Sequence, residues 1–277
     1  MIKLGLIGYP LGHSLSPRIH DAALQACGLE GEYDPFPIRL DDTQELNNLL
    51  SCVRTGEITG LNVTIPHKQN VMQFLDELTP TAQAIGAVNT IHRRDNKLIG
   101  DNTDAPGFLS DLHRFLGEKP SSSAHRPLSL VLGAGGAARA IVYALVQDGW
   151  DVSIAARRLE QADELAGQFE HISTVEWGVQ TFQAPNIELI VNTTPVGMTP
   201  NIDQSPLPEN IVLPKQAAIY DLIYNPHETK LVRDARAQGL QATTGLGMLI
   251  DQAALAFEIW TGYSPSREMM RSAIDNL

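Results

Sequence analysis

Cysteine is scarce in this chain: Cys27 and Cys52 are the only two among 277 residues. Two thiols do not make a disulfide framework, and neither lies at a spacing typical of metal ligands. We therefore expect reduced cysteines, a cytoplasmic protein and no metal site.

Long hydrophobic runs are also missing. No stretch approaches the roughly 20 apolar residues of a membrane-spanning helix. Residues 1–8 form a short strand-like pattern rather than the apolar segment of a signal peptide. We expect neither a membrane anchor nor a cleaved leader.

Basic residues are in the minority, with 20 Lys and Arg against 32 Asp and Glu, so the formal net charge is −12 at pH 7. An acidic surface repels nucleic acid and anionic membranes. We expect neither as a partner, whereas an anionic small molecule stays compatible because local charge can oppose the net charge. Monomer and homodimer both remain open.

The chain does contain, near its middle, an apolar run that stops at a glycine cluster. Residues 128–132 predict a strand, and the apolar face that starts at Ala138 predicts a helix. Strand, glycine turn and helix in this order are typical of dinucleotide binding, since glycines let the backbone approach a pyrophosphate at the helix N-terminus. The alternative is a plain tight turn. The predicted cofactor-binding residues of this turn are Gly133, Ala134, Gly135, Gly136 and Ala137.

The next predicted strand, residues 150–155, indicates which dinucleotide is bound. NAD-binding folds usually have an acidic residue at the end of this strand for the ribose 2′-hydroxyl, but this chain has Arg157 and Arg158. Guanidinium groups match a 2′-phosphate, so the sequence predicts NADP. Two solvated arginines are the alternative.

Roughly 125 residues precede the glycine turn, enough for a second domain. A strand over residues 2–7 leads to Ser14 and Ser16, and Ser16 before Pro17 is the expected N-cap of the next helix. Two hydroxyls at a strand-to-helix corner are placed to bind a ligand. A cap and an ordinary loop residue are the alternative.

Two charged residues follow later strands of this first domain. Lys68 comes after a strand over residues 61–65, in the first turn of a helix expected over 66–78, where the helix dipole disfavours a cation. Either Thr103 or Asp104 is the expected cap of a helix over 105–116. The alternatives are a solvated lysine and an aspartate that only caps.

These patterns predict an α/β protein of two domains. An N-terminal α/β substrate domain spans 1–104 and is completed by 245–277, and a Rossmann-type, doubly wound NADP-binding domain spans 105–244. Residues 117–127 are the expected linker. The C-terminal helix is expected to pack back on the first domain.

Seven motifs together carry a resemblance to a known family. In chain order they are His13-Ser-Leu-Ser-Pro17, Asn62-Val-Thr-Ile-Pro-His-Lys68, Gly86-Ala-Val-Asn-Thr90, Gly100-Asp-Asn-Thr-Asp104, Gly133-Ala-Gly-Gly-Ala137, Asn192-Thr-Thr-Pro-Val-Gly197 and Gly245-Leu-Gly-Met-Leu-Ile-Asp-Gln252. Over essentially its whole length the chain resembles the NADP-dependent, biosynthetic shikimate dehydrogenases.

The resemblance implies reversible reduction of 3-dehydroshikimate to shikimate with NADPH, in chorismate and aromatic amino acid biosynthesis. It also implies that Lys68 and Asp104 are the catalytic pair. The substrate contacts that it implies are Ser14, Ser16, Thr64, Asn89, Tyr224 and Gln252. The further cofactor contacts that we expect are Thr193, Leu222, Gly245 and Met248.

The chain departs from the family pattern after the second cofactor strand. The family often has Asn-Arg-Thr there, whereas this chain has Ala156-Arg157-Arg158, with Gln161 where a basic residue is common. One alternative is a quinate/shikimate dehydrogenase with relaxed substrate or NAD use, which an acid near residue 156 would favour. A non-catalytic binding protein of the same fold is the other, and the presence of Lys68 and Asp104 argues against it.

Overall fold

The computed structural model describes residues 1–117 and 126–275, so most of the expected linker at 117–127 lies outside the described residues. The chain forms two compact units. The first unit comprises Met1–Gly107 and Ile250–Leu277, and the second comprises Phe108–Leu249. Among the described residues, no helix has both the length and the apolar character needed to cross a membrane.

The first unit is built on a six-stranded mixed sheet. Its strands are β1 Ile2–Gly8, β2 Gly31–Pro37, β3 Gly60–Val63, β4 Glu77–Leu78, β5 Thr90–Arg94 and β6 Lys97–Asp101. Its helices up to the unit boundary are α1 Ser16–Ala26, α2 Thr43–Thr55, α3 His67–Asn70, α4 Pro80–Ile85 and the start of α5 Asp104–Leu116.

The strand order β2-β1-β3-β5-β6-β4 places several loops at one edge of this sheet. β1 runs parallel to β2 and β3, while β5 is antiparallel to both β3 and β6. The carboxyl ends of β1, β3 and β6 therefore lie at the same edge as the amino end of β5. The segments that carry Ser14, Lys68 and Asp104 begin at this edge, and the segment that carries Asn89 ends there.

The amphipathic pattern of α2 shows why these elements pack. Asp42 caps the helix by accepting from the Glu45 N–H, and Gly56 ends it with φ +84°. Its buried face is Leu46, Leu49, Leu50 and Val53. That face joins the same hydrophobic core as Leu61 and Val63 of β3.

The second unit holds a six-stranded sheet in which all paired strands are parallel. Its strands are β7 Leu128–Leu132, β8 Asp151–Ala155, β9 Ile172–Val175, β10 Ile187–Asn192, β11 Ala218–Asp221 and β12 Ala242–Thr244. Its helices after α5 are α6 Gly136–Gln147, α7 Leu159–Ala166, α8 Val179–Phe182, α9 Lys230–Ala237 and the start of α10 Leu246–Thr261.

The order β12-β11-β10-β7-β8-β9 confirms the predicted Rossmann-type topology. The chain winds outward from β7 through β8 to β9, then returns to β10 on the other side of β7. Ligands of such sheets bind beyond the carboxyl ends of the strands at this switch point. The glycine turn follows β7, and Thr193 follows β10.

The end of the chain returns to the first unit, as predicted. Trp260 of α10 donates from Nε1 to the Ile91 carbonyl at 3.0 Å. Gly60 must lack a side chain because a Cβ there would lie 2.2 Å from the Trp260 ring. The last helix, α11 Arg267–Ser272, packs on α1.

The helix expected over 66–78 is wrong. The structure has the single turn α3, a 3₁₀ turn over Val71–Phe74 and then β4, which pairs with β6. The apolar spacing that suggests one helix instead serves three short elements that share a core, because strand pairing with β6 outweighs local propensity. The sequence analysis also missed α4, α8 and β9.

Candidate active site

The first unit brings Lys68 and Asp104 into direct contact. The Lys68 Nζ lies 2.5 Å from the Asp104 Oδ2, and the two side chains are 17% and 6% exposed. An ammonium and a carboxylate this close and largely removed from water hold each other in place. Because α3 has only four residues, the dipole argument made for Lys68 from the sequence loses its premise.

The start of α5, which carries Asp104, is capped by Asn102 rather than by Thr103 or Asp104. Asn102 Oδ1 accepts from the backbone N–H groups of Asp104 at 3.1 Å and Ala105 at 3.4 Å. Thr103 stands at the N-cap position, since its carbonyl accepts from the Gly107 N–H at 3.0 Å, but the side chain that accepts from the first turn is that of Asn102, because Asn caps as well as Asp or Thr. The Asp104 carboxylate is thereby left for Lys68.

Asn89 supplies the second contact to the Asp104 carboxylate. Its Oδ1 accepts from the Thr103 N–H at 2.8 Å, and since a backbone N–H can only donate, this bond fixes which end of the amide is oxygen. Its Nδ2 then donates to Asp104 Oδ1 and Thr103 Oγ1, both at 2.9 Å, and to Gln252 Oε1 at 3.3 Å. Asn89 therefore links Asp104 to Gln252.

Ser14 and Ser16 lie together, but Ser16 is not a helix cap. The N-cap of α1 is Leu15, which has no side-chain cap bond, and Ser14 Oγ accepts from the Ser16 N–H at 3.3 Å. The helix therefore starts at Ser16, one residue earlier than expected. Pro17 is tolerated in its first turn because proline has no backbone N–H that would need an acceptor. The Ser16 hydroxyl is therefore not used in capping α1, and the Ser14 oxygen accepts one N–H at the helix start.

Thr64 and Tyr224 complete the expected substrate set. Thr64 follows β3, and its methyl group lies against Gly8, where a Cβ would come within 2.4 Å. Tyr224 follows β11 and so belongs to the second unit. Burial raises the pKa of the Tyr224 phenol, which keeps it a neutral hydrogen-bonding group at physiological pH.

The predicted glycine turn has the geometry that a dinucleotide needs. Gly133 has φ +108°, and a Cβ there would lie 2.7 Å from Thr193 Oγ1. Gly135 is the N-cap of α6 and offers no side-chain cap to the N–H groups of its first turn. A Cβ at Gly135 would meet nothing within 4 Å, so the space beside this helix start is open. Backbone donors here are available to a phosphate.

The two expected phosphate-binding arginines are exposed beyond the end of β8. Within residues 1–117 and 126–275, neither Arg157 nor Arg158 pairs with an acidic side chain. Arg139 of α6, by contrast, is buried and bonds to Glu164 and Gln168. The free guanidinium groups fit a 2′-phosphate, and the donor set as a whole fits NADP.

The other expected cofactor residues follow β10, β11 and β12. Gly245 donates from its N–H to the Ile223 carbonyl, and a Cβ there would lie 2.3 Å from the Leu222 oxygen. Leu222 and Gly245 are therefore adjacent. Met248 is buried in the first turn of α10.

Asp221, which the sequence analysis missed, ties these loops together. Its carboxylate accepts from Asn192 Nδ2 at 2.9 Å, the Ile223 N–H at 3.1 Å and Thr229 Oγ1 at 2.7 Å. Burial raises the pKa of Asp221 to about 6, although these three donors oppose the rise. The only signal in the sequence is an acidic residue at the end of a buried strand.

Two family profiles match the chain. One, described as the shikimate dehydrogenase substrate binding domain, matches residues 6–91. The other, described as the shikimate 5'-dehydrogenase C-terminal domain, matches residues 245–274.

Individual proteins are similar over nearly the whole chain. The shikimate dehydrogenase (NADP(+)) of Shouchella clausii is 39% identical over 98% of this chain and 97% of its own length. A crystal structure of Thermus thermophilus shikimate 5-dehydrogenase with NADP(H) and shikimate has a TM-score of 0.86, with 39% identity over 99% of this chain and 98% of that one. The 5-ketofructose reductase of Gluconobacter sp. strain CHM43 has a TM-score of 0.85 and 29% identity, covering 99% and 98% of the two chains.

Proposed function

The chain belongs to the shikimate dehydrogenase family, and from that premise we propose that Lys68 and Asp104 are the acid–base pair with which it reduces 3-dehydroshikimate to shikimate. It is an NADP-dependent oxidoreductase, and its reaction belongs to chorismate and aromatic amino acid biosynthesis. The observation that carries the proposed roles is the 2.5 Å contact between the Lys68 Nζ and the Asp104 Oδ2.

Each unit has its own part in this proposal. Residues 1–104, completed by 245–277, form the substrate-binding and catalytic domain, and residues 105–244 form the NADP-binding domain. The compact units divide inside α5 and α10, at Gly107/Phe108 and Leu249/Ile250. Support comes from the glycine turn, which lies in the second unit, and from the Lys68–Asp104 pair, which lies in the first.

Lys68 exchanges the proton with the substrate oxygen. NADPH, when bound, supplies the hydride that reduces the ketone carbon. The Lys68 ammonium stabilises the negative charge that grows on the ketone oxygen and then donates a proton to it, which gives the hydroxyl of shikimate. In the oxidation direction the neutral amine takes that proton back.

Asp104 orients the Lys68 amine and a substrate hydroxyl. Its Oδ2 contacts the Lys68 Nζ, and its Oδ1 is held by the Asn89 amide. With both oxygens engaged, the carboxylate keeps one orientation while the proton moves. The residues that we propose to hold the substrate are Ser14, Ser16, Thr64, Asn89, Tyr224 and Gln252.

The cofactor is held by the turn and loops of the second unit. The backbone of residues 133–137 binds the pyrophosphate, and Arg157 and Arg158 bind the 2′-phosphate. Thr193, Leu222, Gly245 and Met248 contact the rest of the cofactor. This assignment is supported by the positive φ of Gly133 and by the two exposed guanidinium groups.

We further propose that the protein works in the cytoplasm as a monomer or homodimer and without nucleic acid. Its net charge of −12 supports the absence of a nucleic-acid partner, and its low cysteine content is typical of a cytoplasmic protein. Sedimentation velocity, with and without both ligands, distinguishes the two oligomeric states.

A second candidate function is the reduction of a different polyhydroxylated ketone. The similarity to the Gluconobacter 5-ketofructose reductase favours it, although the identity is lower than that to the shikimate dehydrogenases. Quinate with NADP+ or NAD+ is a further combination within the same reaction class.

A spectrophotometric assay tests these functions together. Formation of NADPH is followed with shikimate and NADP+, with matched arms that replace shikimate by quinate or NADP+ by NAD+, and a reverse arm with 5-ketofructose and NADPH. We expect the highest kcat/KM for shikimate with NADP+. A higher value in any other arm would transfer the assignment to that substrate or cofactor, and no turnover in any arm would indicate a non-catalytic protein.

A further inference from the structure

A short segment of the first unit, Ala87–Val88–Asn89, touches both halves of the proposed catalytic pair. The Val88 N–H donates to the Lys68 carbonyl at 2.7 Å. The Asn89 side chain donates to Asp104 Oδ1 at 2.9 Å. These three residues therefore form hydrogen bonds both with the backbone of Lys68 and with the carboxylate of Asp104.

Asn102 closes this arrangement from the α5 side. Its Nδ2 donates to the Ala87 carbonyl at 2.9 Å, while its Oδ1 accepts from the N–H groups of Asp104 and Ala105. Asn102 is 2% exposed, so water cannot readily replace these partners. One amide thus ties the first turn of α5 to the segment that holds the backbone of Lys68.

The chemistry of this site requires an amide. The two backbone N–H groups need an acceptor, and the Ala87 carbonyl needs a donor, so oxygen and nitrogen can be assigned to only one orientation. Aspartate would keep the acceptor but set a second oxygen against the Ala87 carbonyl. Alanine would remove all three bonds.

We propose that Asn102 is a positioning residue for the reaction, one that sets the distance between the Lys68 amine and the Asp104 carboxylate through its bond to Ala87. The inference rests on the proposed function, because it matters only if those two groups do the proton chemistry. Asn102 does not itself touch the reacting atoms. Its effect passes through Asp104, and small misplacements of a catalytic group reduce turnover strongly.

The first test compares Asn102→Ala and Asn102→Asp with a matched helix-cap variant, Asp42→Ala. Asp42 caps α2 with one side-chain bond to the Glu45 N–H, and it lies outside the proposed machinery. We expect kcat for shikimate oxidation to fall about 10- to 100-fold in both Asn102 variants. The KM for NADP+ should stay unchanged, and Asp42→Ala should keep the wild-type kcat.

The second test is a double-mutant cycle between Asn102→Ala and Asp104→Asn. If Asn102 acts through Asp104, its substitution should change kcat by less than about threefold once the carboxylate is gone. A merely structural role would give the same fold loss in both backgrounds.

The outcomes separate this inference from the function on which it rests. A wild-type protein without shikimate turnover contradicts the function. An active wild type with a folded Asn102→Asp variant of unchanged kcat, or with additive losses in the cycle, overturns the role of Asn102 alone. Asn102→Asp keeps the cap on α5, so it decides the matter even if Asn102→Ala does not fold.

Discussion

Arg157 and Arg158 are exposed guanidinium groups that lie where β8 ends. The sequence Asn-Arg-Thr, common at this position in the family, is Ala156-Arg157-Arg158 here, so the 2′-phosphate contacts that we propose come from two charged groups. A charge-assisted hydrogen bond contributes about 1.5–3 kcal/mol, and tenfold in affinity corresponds to about 1.4 kcal/mol.

The double variant Arg157→Ala/Arg158→Ala removes both groups and should therefore raise the KM for NADPH about 10²- to 10⁴-fold and leave the KM for NADH unchanged. The matched control is Arg233→Ala, which removes an exposed arginine from α9 in the same unit. Steady-state kinetics with both cofactors provide the measurement. An equal loss for NADH and NADPH would show that these arginines do not recognise the 2′-phosphate.

The side-chain hydrogen bonds of single residues are what the sequence did not predict. Residue types and strand ends drew attention to Lys68, Asp104 and Asn89, whereas the roles expected for them were implied by the resemblance to the family. They did not show that Asn102 caps α5, since Asn, Thr and Asp are similar caps and all three stand in a row. Nor did they show the orientation of the Asn89 amide, which depends on the Thr103 N–H that only the folded chain brings to it.

At the scale of elements, the glycine turn between β7 and α6 is the feature whose shape the sequence predicts best. Gly133 combines φ +108° with a Cβ position 2.7 Å from Thr193 Oγ1. Gly149, after α6, has φ +84° but nothing within 4 Å of its Cβ position. The two glycines share a backbone conformation that disfavours a side chain and differ in what surrounds it.

Gly133→Ala should weaken NADP+ binding, because its methyl group displaces either Thr193 or the turn. Gly149→Ala should leave NADP+ binding unchanged. It should lower only the free energy of unfolding, by roughly 1–2 kcal/mol, because a left-handed conformation costs an L-residue that much. Isothermal titration with NADP+ and urea unfolding measure the two effects. Unchanged NADP+ affinity in Gly133→Ala would contradict the role assigned to this turn.

Elements with strong signals at both ends were predicted closely, and elements held by tertiary pairing were not. β7 is bounded as expected, at Leu128–Leu132. The segment after β3 was expected to form one helix because residues 71, 74, 75 and 78 are apolar. In the fold, residues 77 and 78 pair with β6 instead, and no local pattern encodes that partner.

At the scale of the whole molecule, the two-unit α/β architecture was predictable because it depends on element order. Strand and helix alternate in both halves, and the glycine turn identifies the first strand of the second sheet. The unit boundaries were less accessible to prediction, since they fall inside α5 and α10 rather than in loops.

Stability should depend on pH through His20 of α1. Its ring is fully buried, stacks on Tyr33 at 4.3 Å between ring centroids, and has no hydrogen-bonding partner for either nitrogen among the described residues. Burial lowers the pKa of His20 from 6.5 to about 3, and the nearby Asn62 side chain opposes this only in part. The folded state therefore excludes a proton that the unfolded chain binds.

The free energy of unfolding should be greatest above pH 6.5 and should fall as the pH drops from 6.5 towards 3. The loss attributable to His20 is about 2 kcal/mol at pH 5. Urea unfolding at pH 7.5 and pH 5 measures the difference in the free energy of unfolding between the two pH values. We expect His20→Phe to reduce this difference. The substitution of an exposed histidine, His227→Gln, should leave it unchanged. An undiminished difference in His20→Phe would assign the pH dependence to other groups.

The central claim is that Lys68 exchanges the proton with the substrate, and kcat of Lys68→Ala for shikimate oxidation tests it most directly. Lys97→Ala is the matched control, since Lys97 also lies 2.5 Å from a carboxylate of the first unit, that of Glu77. We predict that kcat falls about 10²- to 10⁴-fold in Lys68→Ala, with an unchanged KM for NADP+, while Lys97→Ala keeps the wild-type kcat. Turnover of Lys68→Ala close to that of the wild type would contradict the account.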